Sequence, residues 1–184
     1  MYIIGELREN VIEENTARYT GGGAAGAGII ANNTIVNNAI FGGTWGGAGL
    51  YVNSGEGLVA TQVVANLVIG NRSTFLSDRG YAIDCHGGGP VRYSCNDLWN
   101  NGVDEILNRA CYEDTSGMHT LSVDPLFCAG PSNAFFGPYS LAANSPVTLP
   151  QSTVCGHLGA LPAECNVIAV ESISWGRLKT LYRD

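Results

Sequence analysis

Asp84, His86 and Arg92 fall within one short stretch, YAIDCHGGGPVR, with Asp78 just before it and Asp97 just after. These residue types can support proton abstraction beside a uronate. Carboxylates would hold a calcium ion that neutralises the sugar acid, and a basic side chain would remove the proton alpha to it. Asp78, Asp84 and Asp97 would supply the calcium ligands and Arg92 the base. The simpler reading, which we prefer, makes Asp84 and Asp97 solvated turn residues and has His86 end a strand beside the glycines that follow it. No metal or other cofactor is expected under that reading, and calcium belongs to the lyase alternative alone.

The elements that would position these side chains emerge when the chain is compared with itself. A nine-residue template (apolar, two free, Asn, one free, aliphatic, two free, Asn) recurs four times, at Leu7 to Asn15, Ile30 to Asn38, Val63 to Asn71 and Tyr93 to Asn101. Its first asparagines, Asn10, Asn33, Asn66 and Asn96, are 23, 33 and 30 residues apart. Its second are Asn15, Asn38, Asn71 and Asn101. Together they take eight of the sixteen asparagines in the chain, too many for chance scatter. A unit that cannot bury its own apolar side must stack on a neighbour. If each copy is one turn of a coil, Ile12, Ile35, Val68 and Leu98 form an inward aliphatic column at about 4.8 Å per turn. The asparagines then turn the corners, since asparagine tolerates the left-handed conformation and its amide can both donate and accept along the stack.

Glycine followed by apolar residues recurs at Gly28, Gly49, Gly57 and Gly80, which reads as further strands entered through glycine corners. The longer separations leave room for protruding loops such as Gly42 to Gly47. No helical pattern interrupts Met1 to Asn101. The expected fold is all-β, a parallel β-solenoid of about four coils.

The chain resembles the right-handed parallel β-helix repeat proteins of bacteria, the pectate-lyase-like superfamily. The resemblance covers most of the chain and is strongest in CHGGGPVRYSCNDLWNNG at Cys85, SVDPLF at Ser122, YSLAANSP at Tyr139 and CGHLGALP at Cys155. It implies that the DPLF and Ser-Pro segments leave the last coil and cover it. The family pattern often carries a cysteine directly after Ser-Pro, where this chain has Val147. Its division would be coils over residues 1–109, a loop-rich cap over 110–166 and a tail over 167–184. His86-Gly87 and the tail's GRLK are similar to polygalacturonase fragments, but the paired-aspartate motifs that do the acid/base work there are absent.

The cysteines are Cys85, Cys95, Cys111, Cys128, Cys155 and Cys165, with no Cys-x-x-Cys pair, so a zinc site is not expected even with His86, His119 and His157 present. Six cysteines permit fifteen pairings. Nearest-neighbour staples, Cys85 with Cys95, Cys111 with Cys128 and Cys155 with Cys165, are the simplest choice, and disulfides imply an exported, secreted or cell-surface protein. No signal peptide or transmembrane segment is visible, and the chain starts within a coil. We therefore read Met1 as an internal start with further coils and a leader upstream. The tail concentrates Arg177, Lys179 and Arg183, and Trp175, Leu178 and Tyr182 share a helical face if Ser174 caps a short helix. We read the tail as a frayed terminus in preference to a sorting or docking element.

Nine Lys plus Arg against sixteen Asp plus Glu give a net charge of −7, which argues against nucleic acid. Gly21 to Gly26 satisfies G-x-G-x-x-G but precedes a strand-like run, so it reads as a flexible corner and not as a dinucleotide site. The sequons at Asn32 and Asn71 do not read as glycan sites. Two function classes remain. One is a non-catalytic surface module, structural or adhesive, that meets a polysaccharide or cell-surface component through Trp45, Tyr51 and Trp99. The other is a carbohydrate-active enzyme, polysaccharide lyase or glycoside hydrolase, with its site near Asp84, His86 and Arg92.

Overall fold

The computed structural model describes residues 2–42, 46–55, 60–74, 81–102, 106–108, 112–114, 119–128, 138–148 and 155–165. The first copy of the template contributes β1 (Tyr2–Arg8), β2 (Val11–Glu13) and β3 (Thr16–Ala17), and the second β4 (Ala24–Ala31), β5 (Thr34–Val36) and β6 (Ala39–Ile40). The third contributes β7 (Gly47–Asn53), β8 (Thr61–Val64), β9 (Leu67–Ile69) and β10 (Arg72–Ser73). The fourth contributes β11 (Tyr81–His86), β12 (Pro90–Ser94) and β13 (Asp97–Trp99), followed by β14 (Ile106–Asn108), β15 (Tyr112–Asp114), β16 (Leu141–Ala142) and β17 (Ala163–Cys165).

The strands pair in parallel, and equivalent strands of successive copies share a sheet. The first sheet runs β1, β4, β7 with β8, β11 with β12, and β14 with β15. The second is β2-β5-β9-β13, the third β3-β6-β10, and β16 pairs with β17 apart from them. Registers match the template, with Ile12 beside Ile35, Ile35 beside Val68 and Val68 beside Leu98. This column and Leu7, Ile30, Val63 and Tyr93 lie in one buried cluster. Fully burying each such aliphatic side chain stabilises by about 1.5–3 kcal/mol.

The asparagines form two continuous hydrogen-bonded columns. Asn33 Nδ2 donates to Asn66 Oδ1 at 3.0 Å, to the Leu7 carbonyl at 2.9 Å and to the Ala31 carbonyl at 3.0 Å. Asn66 Nδ2 passes the pattern on to Asn96 Oδ1 at 3.0 Å. In the second column Asn38 Nδ2 donates to Asn71 Oδ1 at 2.9 Å, and Asn71 Nδ2 to Asn101 Oδ1 at 3.0 Å. From the second copy on, each side-chain oxygen also accepts the backbone N–H of the previous copy's asparagine, as Asn66 Oδ1 does from Asn33. The amides thus complete backbone groups that a corner inside the molecule would otherwise leave unpaired.

The left-handed residues are not the ladder asparagines, as expected, but the ones just before them. Glu9, Glu14, Asn32, Asn37, Ala65, Gly70, Cys95 and Asn100 all have φ between 53° and 66°. The ladder asparagine is held by its neighbours' bonds, so the preceding residue must reverse the chain. Glycine also departs from expectation. Gly28 and Gly49 lie within β4 and β7 and do not enter them. The GGGAAG run is no flexible corner either: Ala24 to Gly26 begin β4, and a Cβ on Gly22 would lie 2.7 Å from the Ala39 carbonyl oxygen.

Most of the third copy's surplus length is not in the Gly42 to Gly47 loop. Gly26 pairs with Val52 and Ile29 with Gln62, so two residues of β4 stand opposite nine in the third copy. The first-sheet strand breaks there into β7 and β8, and the fourth copy breaks at the same place between β11 and β12. Ser54 ties the two breaks together: its N–H donates to the His86 carbonyl at 2.9 Å and its Oγ to the Gly89 carbonyl at 2.9 Å.

The segment after the copies covers a side of the stack as well as its end. Leu121 lies over the fourth copy, its N–H donating to the Asn96 carbonyl at 2.7 Å. From there the chain packs on the outer face of the second sheet, where Val36, Leu67 and Ile69 meet Leu141, Val147 and Leu158 in a second buried cluster. Val147, directly after Ser-Pro, is part of this apolar layer. The strap reaches along the stack: the Tyr139 phenol lies within the influence of Glu13 and Glu14 of the first copy, the Ala160 N–H donates to Thr34 Oγ1 at 3.0 Å, and the Gly159 N–H donates to the Ala65 carbonyl at 2.9 Å. A Cys95–Cys155 disulfide fastens it to the fourth copy. Nearest-neighbour pairing therefore fails for Cys95 and Cys155, because the strap folds back and brings distant cysteines to one corner. Cys85 and Cys128 are also oxidised, and Cys111 lies outside the described residues.

Candidate functional site

Asp84, His86 and Arg92 lie on the outer face of the first sheet in the fourth copy. Their neighbours Ile83, Cys85, Val91 and Tyr93 point into the core, and strand alternation turns the three polar side chains outward. Asp84 stands beside Tyr51, which stands beside Ala25; Arg92 stands beside Gln62, which stands beside Ile29. Referred to the unbroken β4, Asp84 and Arg92 are four positions apart, about 13 Å at ~3.3 Å per residue. His86, in register with Asn53, lies between them and is exposed.

The electrostatic settings of these groups differ. Asp84 is only 2% exposed, so its carboxylate does not open onto solvent as a turn residue's would. Arg92 is exposed and stands in register with Asp114 of β15. Asp97 is on the second sheet and fully buried, its Oδ1 accepting the Val123 N–H at 3.0 Å. It anchors the strap's first turn. The reading of Asp84 and Asp97 as solvated turn residues is thus overturned, because both are buried strand residues and Asp97 is bonded to the strap. His86 does end its strand beside the glycines. Asp78 lies outside the described residues.

The aromatic candidates do not form one strip. Tyr51 is half-buried on the outer face of the first sheet, whereas Trp99 packs against the apolar cluster under the strap. Trp45 lies outside the described residues. Of the sequons, Asn71 is a buried ladder member, and Asn32 Nδ2 donates to the His157 carbonyl at 2.6 Å. Among the described residues no three His, Cys, Asp or Glu side chains converge as a metal site, and no helix is long and apolar enough to cross a membrane. A cavity of about 290 Å³ opens within the strap, lined by Val147, Thr148, Gly156, His157, Leu158 and Ala163, with no carboxylate among them.

At its far end the strap reaches the first copy. Tyr139 packs edge-on against Phe127, with ring centroids 5.4 Å apart. Burial, a hydrogen bond to the Glu13 carboxylate and the charges of Glu13 and Glu14 push its phenol up to about 12. The template gave no hint of this pairing, nor of Asp97 with Val123. The signal available was an acid at Asp97, in a column otherwise filled by Val11, Thr34 and Leu67.

In comparison with known proteins, no family model matches the chain, and no curated protein or solved structure matches it.

Proposed function

We infer that the chain is a stretch of right-handed parallel β-helix serving as a non-catalytic, exported module, structural or adhesive, whose outer faces meet carbohydrate or another cell-surface component. The observation that carries this reading is the ladder. Half of the chain's asparagines are committed to holding one copy to the next, and the parallel register of the second sheet runs unbroken through all four copies. The disulfide supports export, since such bonds persist in oxidising compartments. Of the aromatic candidates Trp45, Tyr51 and Trp99, Tyr51 is the one among the described residues that lies on the outer face of the first sheet, where a sugar ring would meet it.

One observation favours the enzyme reading: Asp84, His86 and Arg92 share a face of one sheet in one copy. A base and a metal-held uronate must lie within hydrogen-bond reach of the reacting carbon, and the separation of Asp84 from Arg92 works against that. The test is a panel of neutral and acidic polysaccharides with calcium, read by absorbance of unsaturated uronate and by reducing-end release. Binding of a glycan without turnover, weakened in Tyr51→Ala, is the expected result. Turnover that disappears in Arg92→Ala or Asp84→Ala would overturn it.

A further inference from the structure

The second sheet is packed under the strap and the first carries Asp84, whereas the outer face of the third is open and cationic. Strands β3, β6 and β10 set six outward positions there in a grid. Thr16, Ala39 and Arg72 stand side by side in one column. Pairing continues past the strands, where the Phe41 N–H donates to the Ala17 carbonyl at 3.1 Å and the Thr74 N–H to the Ile40 carbonyl at 2.8 Å, so Arg18, Phe41 and Thr74 form a second column. Between the columns Ile40 and Ser73 are turned inward and buried. Phe41 is 50% exposed, and among the described residues it is the one large apolar side chain exposed in an inner copy. Its exposure does not come from an end of the stack: a copy lies on each side of it, and strand alternation points the ring away from the stacking axis. The cations beside it are unspent. Arg8 bonds Glu6 and Arg92 stands in register with Asp114, whereas Arg18 and Arg72, both exposed, meet no acidic side chain among the described residues. The nearest acid along the chain, Glu14, is at the corner before β3 and outside the grid. Arg18 is also held in place, its guanidinium 5.1 Å from the centroid of the Tyr19 ring and its stem against Gly42, where a Cβ would lie 3.1 Å from Arg18 Cγ.

We propose that this face binds an acidic polysaccharide in which neutral and anionic sugars alternate, an inference that rests on the surface-module reading above and narrows its ligand. A neutral sugar lays its C–H face on the Phe41 ring. The anionic groups of the two flanking sugars take Arg18 and Arg72, whose planar forks match a carboxylate or sulfate with two parallel hydrogen bonds. The two arginine Cα atoms are two strands and two residues apart, about 12 Å at ~4.8 Å per strand and ~3.3 Å per residue, with Phe41 between them. Thr16 and Thr74 offer hydroxyls at the other two corners of the grid. The small side chain of Ala39 leaves the ground beside the ring open. A net charge of −7 repels such a polymer from the rest of the molecule and so favours this face.

The probe is a hyaluronan octasaccharide, in which glucuronate alternates with a neutral N-acetyl sugar, titrated into the whole protein. Saturable binding with Kd below about 1 mM is expected, with backbone amide shifts in residues 16–19, 39–42 and 72–74, and raised salt should weaken it. Arg18→Gln and Arg72→Gln should each weaken binding at least about threefold, and Phe41→Ala about fivefold. Arg8→Gln, which removes the same charge elsewhere, should change it less than about twofold. The amide shifts are read on the unaltered protein and so stand whatever the variants do to folding. Binding of a neutral oligosaccharide with none of the octasaccharide up to about 1 mM would overturn this inference and leave the surface-module reading in place; binding of neither would remove the carbohydrate reading as well. Three further outcomes overturn the inference: shifts confined to the first sheet, equal weakening by Arg8→Gln, or equal or tighter binding of a polygalacturonate octamer, acidic at every sugar, or of a polyglutamate peptide of the octasaccharide's charge.

Discussion

Asn10 and Asn66 hold the same template position, follow the same left-handed corner and make the same side-chain bond to the next copy, yet Asn66 is fully buried and Asn10 is exposed. Water can replace any partner Asn10 loses. Around Asn66 it cannot, because a copy lies on each side and the strap closes the outer face. The comparison separates what the template encodes, which is geometry, from what makes that geometry stabilising, which is enclosure. An asparagine ladder contributes in proportion to the number of its groups that are denied solvent.

The largest effect should come from Asn66→Leu. It leaves the carbonyls of Ile30 and Val64, the Asn33 N–H and Asn96 Oδ1 short of partners. A loss of about 3 kcal/mol is expected, against about 0.5 kcal/mol for Asn10→Leu at the solvated edge. Urea unfolding of both variants measures the gap, and equal losses would mean that enclosure does not matter. Next is the strap. Cys95→Ala with Cys155→Ala opens a link between residues 60 apart and should cost about 2–3 kcal/mol, with exchange rising in residues 155–165 before the inner copies. If the inner copies loosen first, the strap is not the outer closure described here.

Smaller effects sharpen the contrast at the open end. Tyr139 is neutral beside Glu13 and its phenol is raised from 10.0 to about 12, so the folded state holds its proton more tightly than the unfolded state. That contribution is complete below pH 10 and is lost as pH rises toward 12. Tyr139→Phe should flatten the fall in stability across that window, measured by denaturant midpoints at stepped pH; an unchanged slope would dissociate the strap from the first copy. The smallest change is Glu14→Asn, which places a residue tolerant of positive φ at an exposed corner where φ is 53°. It should stabilise by a few tenths of a kcal/mol, visible as a small rise in the thermal midpoint.

The repeating part of the fold was legible because it rests on residue type at fixed spacing: both asparagine columns and the Ile12 to Leu98 column stand where the template puts them. The left-handed corners were not legible, since the position holds Glu, Asn, Ala, Gly and Cys in turn and the ladder bonds, not the residue, impose the conformation. The strand break at Ser54 was hidden for a related reason. Its stacking uses backbone groups and one serine, which leave no periodic trace. The Cys95–Cys155 bond and the burial of Asp97 depend on where residues 119–165 travel after the copies end. That path is set by the outer apolar columns of the second sheet, such as Thr34 with Leu67 and Val36 with Ile69. These alternate with the inward column and so look, in a sequence, like ordinary half-buried strand positions.

The interval between the paired asparagines is five residues in every copy, while the distance from one copy to the next stretches from 23 to 33. The molecule is in this sense a ruler with one graduated edge. Insertions are absorbed where Ser54 and Gly89 meet, outside the stacked corners, and a foreign peptide grafted between Gly55 and Ala60 would lengthen one rung without shifting the marks on any other. A single residue added between Asn66 and Asn71 would take Val68 out of the inward column and break both ladders at once.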